Sequence, residues 1–161
     1  MLTNEQKKIK DKTFHYTNPE MVKYLLSKTL IKGSVLDAGS GKNKVWFNEL
    51  KGEKYECEID DGVDFFKWNK KVDWVVGNPP FHKGWLFIEQ ASKIAQKGIA
   101  FLGNLNFLNS CLPNRFEKLK KNGFYLQKII IVQDTRWFGR YYYLIFEKKE
   151  NDFLSWSLKT Y

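Results

Sequence analysis

Asn78, Pro79, Pro80 and Phe81 are the consecutive residues of this sequence best suited to handling a flat molecule that carries an amino group. An amide oxygen accepts hydrogen bonds, and prolines cannot donate to a strand ladder, so the backbone there is stiff and its carbonyls are available. A planar amino group could donate to the Asn78 side-chain oxygen and the Pro79 carbonyl while its ring stacks on Phe81. Such bonds would favour a more tetrahedral nitrogen and aim its lone pair. On these residues alone, a proline-stiffened strand exit with a core phenylalanine is an equal alternative. His82 and Lys83 follow, the first read as a neutral polar contact, the second as a phosphate contact or a solvated charge.

The residues ahead of this stretch say how it is held. Val72, Trp74, Val75 and Val76 form a β-branched and aromatic run, read as a buried parallel strand that Gly77 ends. Ligands of open α/β sheets bind at the carboxyl ends of the strands. After the strand 34–37 come Asp37, Gly39 and Gly41, where a backbone without Cβ atoms lets a ligand approach closely. After the strand 54–59 comes Glu58-Ile59-Asp60, a carboxylate able to accept from two vicinal hydroxyls beside an apolar side chain able to cover a ring. Asp64-Phe65 follows, offering a carboxylate to an amino group. Singly, the glycines suit any turn and the acids any solvated strand end. Their succession after consecutive strands is what points to a ligand.

The remaining elements alternate. Asn18-Pro19 is a helix start, with Met21, Val22, Leu25, Leu26 and Leu30 at helical spacing and Gly33 as the close. Helices are expected over 45–50, over 84–96 with Gly98 as cap, and over 113–122. Further strands are expected over 99–102, 126–132 and 140–146, the last two as an antiparallel hairpin. The turn between them carries Trp137 and Phe138 flanked by Arg136, Gly139 and Arg140, a second aromatic face with cations or a cover for the sheet edge. The expected architecture is an α/β sandwich with a mainly parallel sheet in one domain over 1–161, with 1–13 as a polar tail.

Composition narrows the function. The 161 residues carry 27 Lys+Arg against 18 Asp+Glu, a net charge of +9 that suits a polyanionic partner. Cys57 and Cys111 have no CxxC or His cluster near them, which argues against a zinc site or disulfide framework. The polar, Lys-rich start and the lack of a long apolar run predict a soluble cytoplasmic protein with no membrane partner.

VLDAGSGKN (35–43), CEIDD (57–61), VDFFKW (63–68) and VDWVVGNPPF (72–81) together resemble the motifs of S-adenosylmethionine-dependent methyltransferases, of the adenine-N6 type. HYTNPEMVKYLL (15–26) resembles the segment that precedes the glycine loop in many DNA adenine methyltransferases, in which a Tyr-Thr pair closes over the cofactor. The resemblance implies a Rossmann-like methyltransferase sheet with an antiparallel C-terminal hairpin. It implies S-adenosylmethionine held by Tyr16, Thr17, Asp37, Gly39, Gly41, Glu58, Ile59, Asp64 and Phe65. It also implies Asn78, Pro79 and Phe81 as the catalytic group and no metal, with Pro80, Lys83, Trp137, Phe138 and Arg140 facing a nucleic acid, DNA ahead of RNA. Asn43 stands where the family usually has a third glycine, a position at which Asn tolerates left-handed backbone. The short span from Glu58 to Asp64 implies a sheet trimmed at one edge, and no length remains for a separate target-recognition domain, which a partner or a homodimer would then supply.

Ribosomal RNA adenine, a protein glutamine amide, and a noncatalytic binding subunit remain alternatives. Cytosine N4 ranks lower, since that group more often carries Ser at the position of Asn78. A dinucleotide oxidoreductase would explain the glycines but not Asn78–Phe81.

Overall fold

The computed structural model describes residues 17–136 and 139–160. Tyr16, Trp137 and Phe138, expected at the site, lie outside the described residues. The elements in chain order are α1 (Pro19–Ser27), β1 (Val35–Ala38), α2 (Val45–Glu49), β2 (Lys54–Cys57), β3 (Val72–Gly77), α3 (Gly84–Ile94), β4 (Ala95–Gly103), α4 (Leu105–Asn109), α5 (Pro113–Lys121), β5 (Tyr125–Val132) and β6 (Tyr141–Glu147). Short 3-10 turns at Ile59–Asp61, Phe65–Lys67 and Phe81–Lys83 lie on the way.

The strands form one six-stranded sheet in the order β2-β1-β3-β4-β6-β5. β1 to β4 pair in parallel, and β6 runs antiparallel to both β4 and β5. This is the expected mainly parallel sheet with an antiparallel C-terminal hairpin. β2, a four-residue strand, forms the short edge.

Apolar residues alternate between the two faces of the sheet, so each face has its own core. Leu36, Val75, Ile99, Phe101, Leu144 and Phe146 pack with Trp85, Ile88 and Ala91 of α3 on one side. Val35, Trp74, Val76, Ala100, Leu102 and Tyr143 pack with Val22 and Leu25 of α1 and Trp46 of α2 on the other. Every residue of β1 is buried, as expected of a strand covered on both faces.

α1 starts as its sequence predicts. Asn18 Oδ1 accepts from Glu20 N at 2.8 Å, and Pro19 takes the first helical position. The helix ends at Ser27, however, and Leu30 lies beyond it, exposed. α3 ends at Ile94, two residues before the expectation, and β4 begins at once with Ala95. Gly98 is therefore no helix cap; it pairs with Trp74 inside the sheet.

Candidate active site

β1 lies between β2 and β3, so the order of strands reverses there relative to the chain. The carboxyl ends of strands diverge at such a point and leave a crevice. A cleft of about 690 Å³ opens at this place, walled by the segments that follow β1, β2, β3 and β4.

The segment after β1 is the glycine loop. Gly39 N and Ser40 N both donate to Cys57 O at 3.0 Å, which ties the loop to the end of β2. Gly39 and Gly41 take φ of 74° and 67°, which side chains rarely adopt, and a Cβ on Gly41 would meet nothing within 4 Å. The left-handed residue that closes the loop is Lys44, with φ of 47°, and not Asn43. Lys44 is fastened by its ammonium, 2.6 Å from Glu56 Oε1.

Asp37 stands behind this wall and does not line the cleft. It is fully buried, with Oδ2 accepting from Phe47 N at 2.9 Å at the start of α2. Burial pushes its carboxyl up to about 8, against the pull of the Phe47 N–H, and Glu56 and Glu58 add to the rise. The folded value lies above the ordinary 3.8. Stability from this group is therefore whole at low pH and is lost as pH rises from about 4 to about 8, at about 1.4 kcal/mol per pH unit. Asp37→Asn is expected to remove that slope. Urea unfolding of both proteins between pH 5 and pH 8 checks it, and parallel profiles would refute it.

After β2, Glu58 Oε2 accepts from Gly41 N at 2.7 Å, so the carboxylate expected at a ribose also clamps the loop. Ile59 projects into the cleft with 68% of its surface exposed, joined by Val63 and Phe66. Asp64 Oδ1 caps the next turn by accepting from Phe66 N at 2.9 Å. Phe65 is buried and stacked on Phe87 at 4.9 Å, so its ring serves as a floor and the neighbouring Phe66 presents the exposed ring.

After β3, Gly77 takes φ of 142°, and its backbone passes so close to β1 that an added Cβ would lie 2.9 Å from Ala38 O. This turn delivers Asn78 to the cleft. Asn78 Nδ2 donates to Thr17 Oγ1 at 3.1 Å. Asn78 Oδ1 is buried and accepts no hydrogen bond among the described residues. Pro79 is buried and Pro80 exposed. Lys83 N donates to Pro80 O at 2.9 Å and closes the turn into α3. The Phe81 ring rests on Tyr141 of β6, with centroids 6.1 Å apart. His82 and Lys83 are exposed on the rim.

The cleft thus brings together Thr17, Gly39, Gly41, Glu58, Ile59, Asp64, Phe65, Asn78, Pro79, Pro80, Phe81 and Lys83. Arg140 is exposed on the hairpin and is not part of the lining. Arg136, read as a cation for a nucleic acid, has its guanidinium Nε 2.9 Å from the nearly buried Asp134. That carboxylate is held below its usual range by the pairing. The sequence reading missed Ser40, Phe66, Asn104 and Asn106, which also line the cleft. Asn104 follows the end of β4 as Asn78 follows β3, and that parallel was the available signal.

The cleft suits a nucleoside at one end and a flat amino-bearing group at the other. Ile59, Val63 and Phe66 form an exposed apolar wall that an aromatic ring would cover, next to Glu58 and the open space before Gly41. Two polar atoms of the lining, Ser40 Oγ and Asn78 Oδ1, are buried without a partner among the described residues, and buried polar groups normally have one.

No protein-family model and no curated protein matches the sequence. Solved structures do match its fold. TrmN from Thermus thermophilus aligns with TM-score 0.58 and 19% identity over 83% of this chain, which spans about half of TrmN, 49%. Magnesium protoporphyrin IX methyltransferase (ChlM) from Synechocystis PCC 6803, with bound SAM, aligns with TM-score 0.57 and 14% identity over 92% of this chain and 86% of its own. Precorrin-6y C5,15-methyltransferase from Geobacter metallireducens aligns with TM-score 0.59 and 15% identity over 85% and 91%. The chain therefore has the Rossmann-like sheet of these methyltransferase structures, and at 14–19% identity the likeness is one of fold and names no acceptor.

Proposed function

We propose that this protein is an S-adenosylmethionine-dependent methyltransferase that acts on the N6 amino group of adenine in nucleic acid, with DNA ahead of RNA. The observation that carries this reading is Asn78 Oδ1, a buried amide oxygen at the cleft with no hydrogen-bond donor among the described residues. An amino N–H is the complement that oxygen lacks.

Glu58 and Ile59 would take the ribose and adenine of the cofactor, with Phe66 across the ring, and the Gly39–Gly41 backbone would pass close to the rest. When bound, S-adenosylmethionine supplies an electrophilic methyl on a sulfonium centre. An exocyclic adenine nitrogen is a poor nucleophile because its lone pair is delocalised into the ring. Asn78 Oδ1 and the Pro79 carbonyl would accept hydrogen bonds from its two N–H groups, draw it towards tetrahedral geometry and aim the lone pair, while Phe81 supports the base. Positioning of that kind is worth several powers of ten in rate. A duplex base must be flipped to reach the site, at a cost of a few kcal/mol, and stacking returns about 1–3 kcal/mol.

Charge supports the polyanionic acceptor. Lys44, Lys97, Lys118 and Arg136 are in ion pairs, whereas Lys42 and Lys83, both on the cleft rim, are in none among the described residues. Cations so placed are suited to phosphates on either side of an inserted base.

The test is transfer of labelled methyl to duplex DNA, single-stranded DNA, ribosomal RNA and a protein extract, followed by digestion and mass spectrometry of the product. N6-methyladenine is expected. Label on glutamine would replace the nucleic-acid reading, and no label on any acceptor would sink the enzymatic one.

A further inference from the structure

The two ends of the Asn78 amide have different surroundings. Its nitrogen is bonded to Thr17 Oγ1, across 61 positions of sequence, while its oxygen is buried and unpartnered among the described residues. Rotated by half a turn about its last bond, the same side chain would offer N–H groups to the cleft. Donor would then face donor when an amino group arrived. Something must select the productive orientation, and among the described residues the hydrogen bond that the amide makes is the one its nitrogen donates to Thr17 Oγ1.

Thr17 is itself firmly placed. It directly precedes Asn18 and Pro19, which cap and start α1. The Trp46 indole N–H, a donor that can never accept, reaches Thr17 Oγ1 at 3.4 Å. Trp46 is buried and stacked on Tyr143 at 5.6 Å, and the Tyr143 hydroxyl accepts from Thr29 Oγ1 at 3.3 Å. The Thr17 hydroxyl oxygen thus receives one donor from the core and one from Asn78.

We propose that Thr17 is a positioning residue, whose hydroxyl oxygen holds the Asn78 amide so that Oδ1 faces the incoming amino group. The inference rests on the amino-group reading above and assigns Thr17 a task other than contact with the cofactor. It makes the start of α1 part of the catalytic corner.

Two readouts test it, one of which needs no acceptor. In nitrogen-15 spectra, the side-chain amide pair of Asn78 is identified by its absence in Asn78→Ala. Thr17→Val, close in shape but without the hydroxyl, should shift that pair and speed its solvent exchange, and Thr17→Ser should restore it. In methyl transfer, Thr17→Val should lower kcat by about 10- to 100-fold with the KM for cofactor unchanged, as expected when a reacting group is misaimed. Thr17→Ser should recover most of the loss, and Thr17→Val should cost nothing further in an Asn78→Ala background. An unmoved Asn78 pair, or a raised cofactor KM with kcat intact, would overturn the proposal. A wild-type protein that methylates no acceptor, yet whose Asn78 pair responds as described, would refute the function proposed above and leave the Thr17 hold standing.

Discussion

Asn78→Ala is expected to lower methyl transfer by about 10²- to 10³-fold, the range found when one preorganised hydrogen-bonding group is removed from an active site. Binding of S-adenosylmethionine should change by no more than a few-fold. The separation follows from where the groups lie. Asn78 sits after β3 and lines the cleft, whereas Glu58 and Ile59 follow β2 and Gly41 follows β1. The alanine side chain offers no acceptor in place of the amide oxygen. Single-turnover transfer at saturating cofactor, beside calorimetric titration of the cofactor, separates the two effects. Equal losses in rate and affinity would show that Asn78 holds the cofactor and does not aim the acceptor.

Gly98→Ala is expected to have a large effect on stability. Gly98 faces Trp74 across the β3–β4 ladder, and a Cβ there would lie 2.3 Å from the nearest atom of the Trp74 ring. Trp74 is 3% exposed and packed among Val76, Ala100 and Tyr143, so the ring has nowhere to go. Overpacking a core costs about 1–3 kcal/mol and sometimes more. The upper end applies to a rigid indole, which places Tm about 6–12 °C lower in a domain of this size. In a Trp74→Leu background the same substitution should cost far less, because the smaller side chain leaves room. Thermal unfolding of the four proteins measures that coupling. Equal costs in both backgrounds would mean that the indole is not the obstacle.

Gly98 also shows where sequence reading stops. A glycine after an amphipathic run is the usual mark of a helix end, and only the approach of Trp74 from another strand gives it a different reason. The strands were legible because β-branched and aromatic runs are local, and so was the start of α1, whose cap lies within two residues of its partner. The candidate site was legible as residue types, since its parts fall where strands end. Their orientation was not. Whether Asp37 points at the ligand or at Phe47, and whether Phe65 or Phe66 shows its ring, depends on packing that no local pattern encodes. The Asn78–Thr17 bond joins segments 61 residues apart. α4 is five residues long, too short to display a helical period, and went unseen.

β6 is the last strand of the sheet in the sequence, yet it lies inside, between β4 and β5. A ribosome delivers a chain from its beginning, so β5 emerges before the strand it must pair with. Until residue 147 has left the exit tunnel, β4 keeps an open edge and both cores lack their share of Tyr143, Leu144, Ile145 and Phe146. A nascent chain stalled in that stretch presents an apolar ladder to its neighbours, which makes it a client for chaperones and a seed for aggregation. The same order sets when the cleft is finished: the Phe81 ring leans on Tyr141, the first residue of β6, so the corner that would seat the acceptor base is built last.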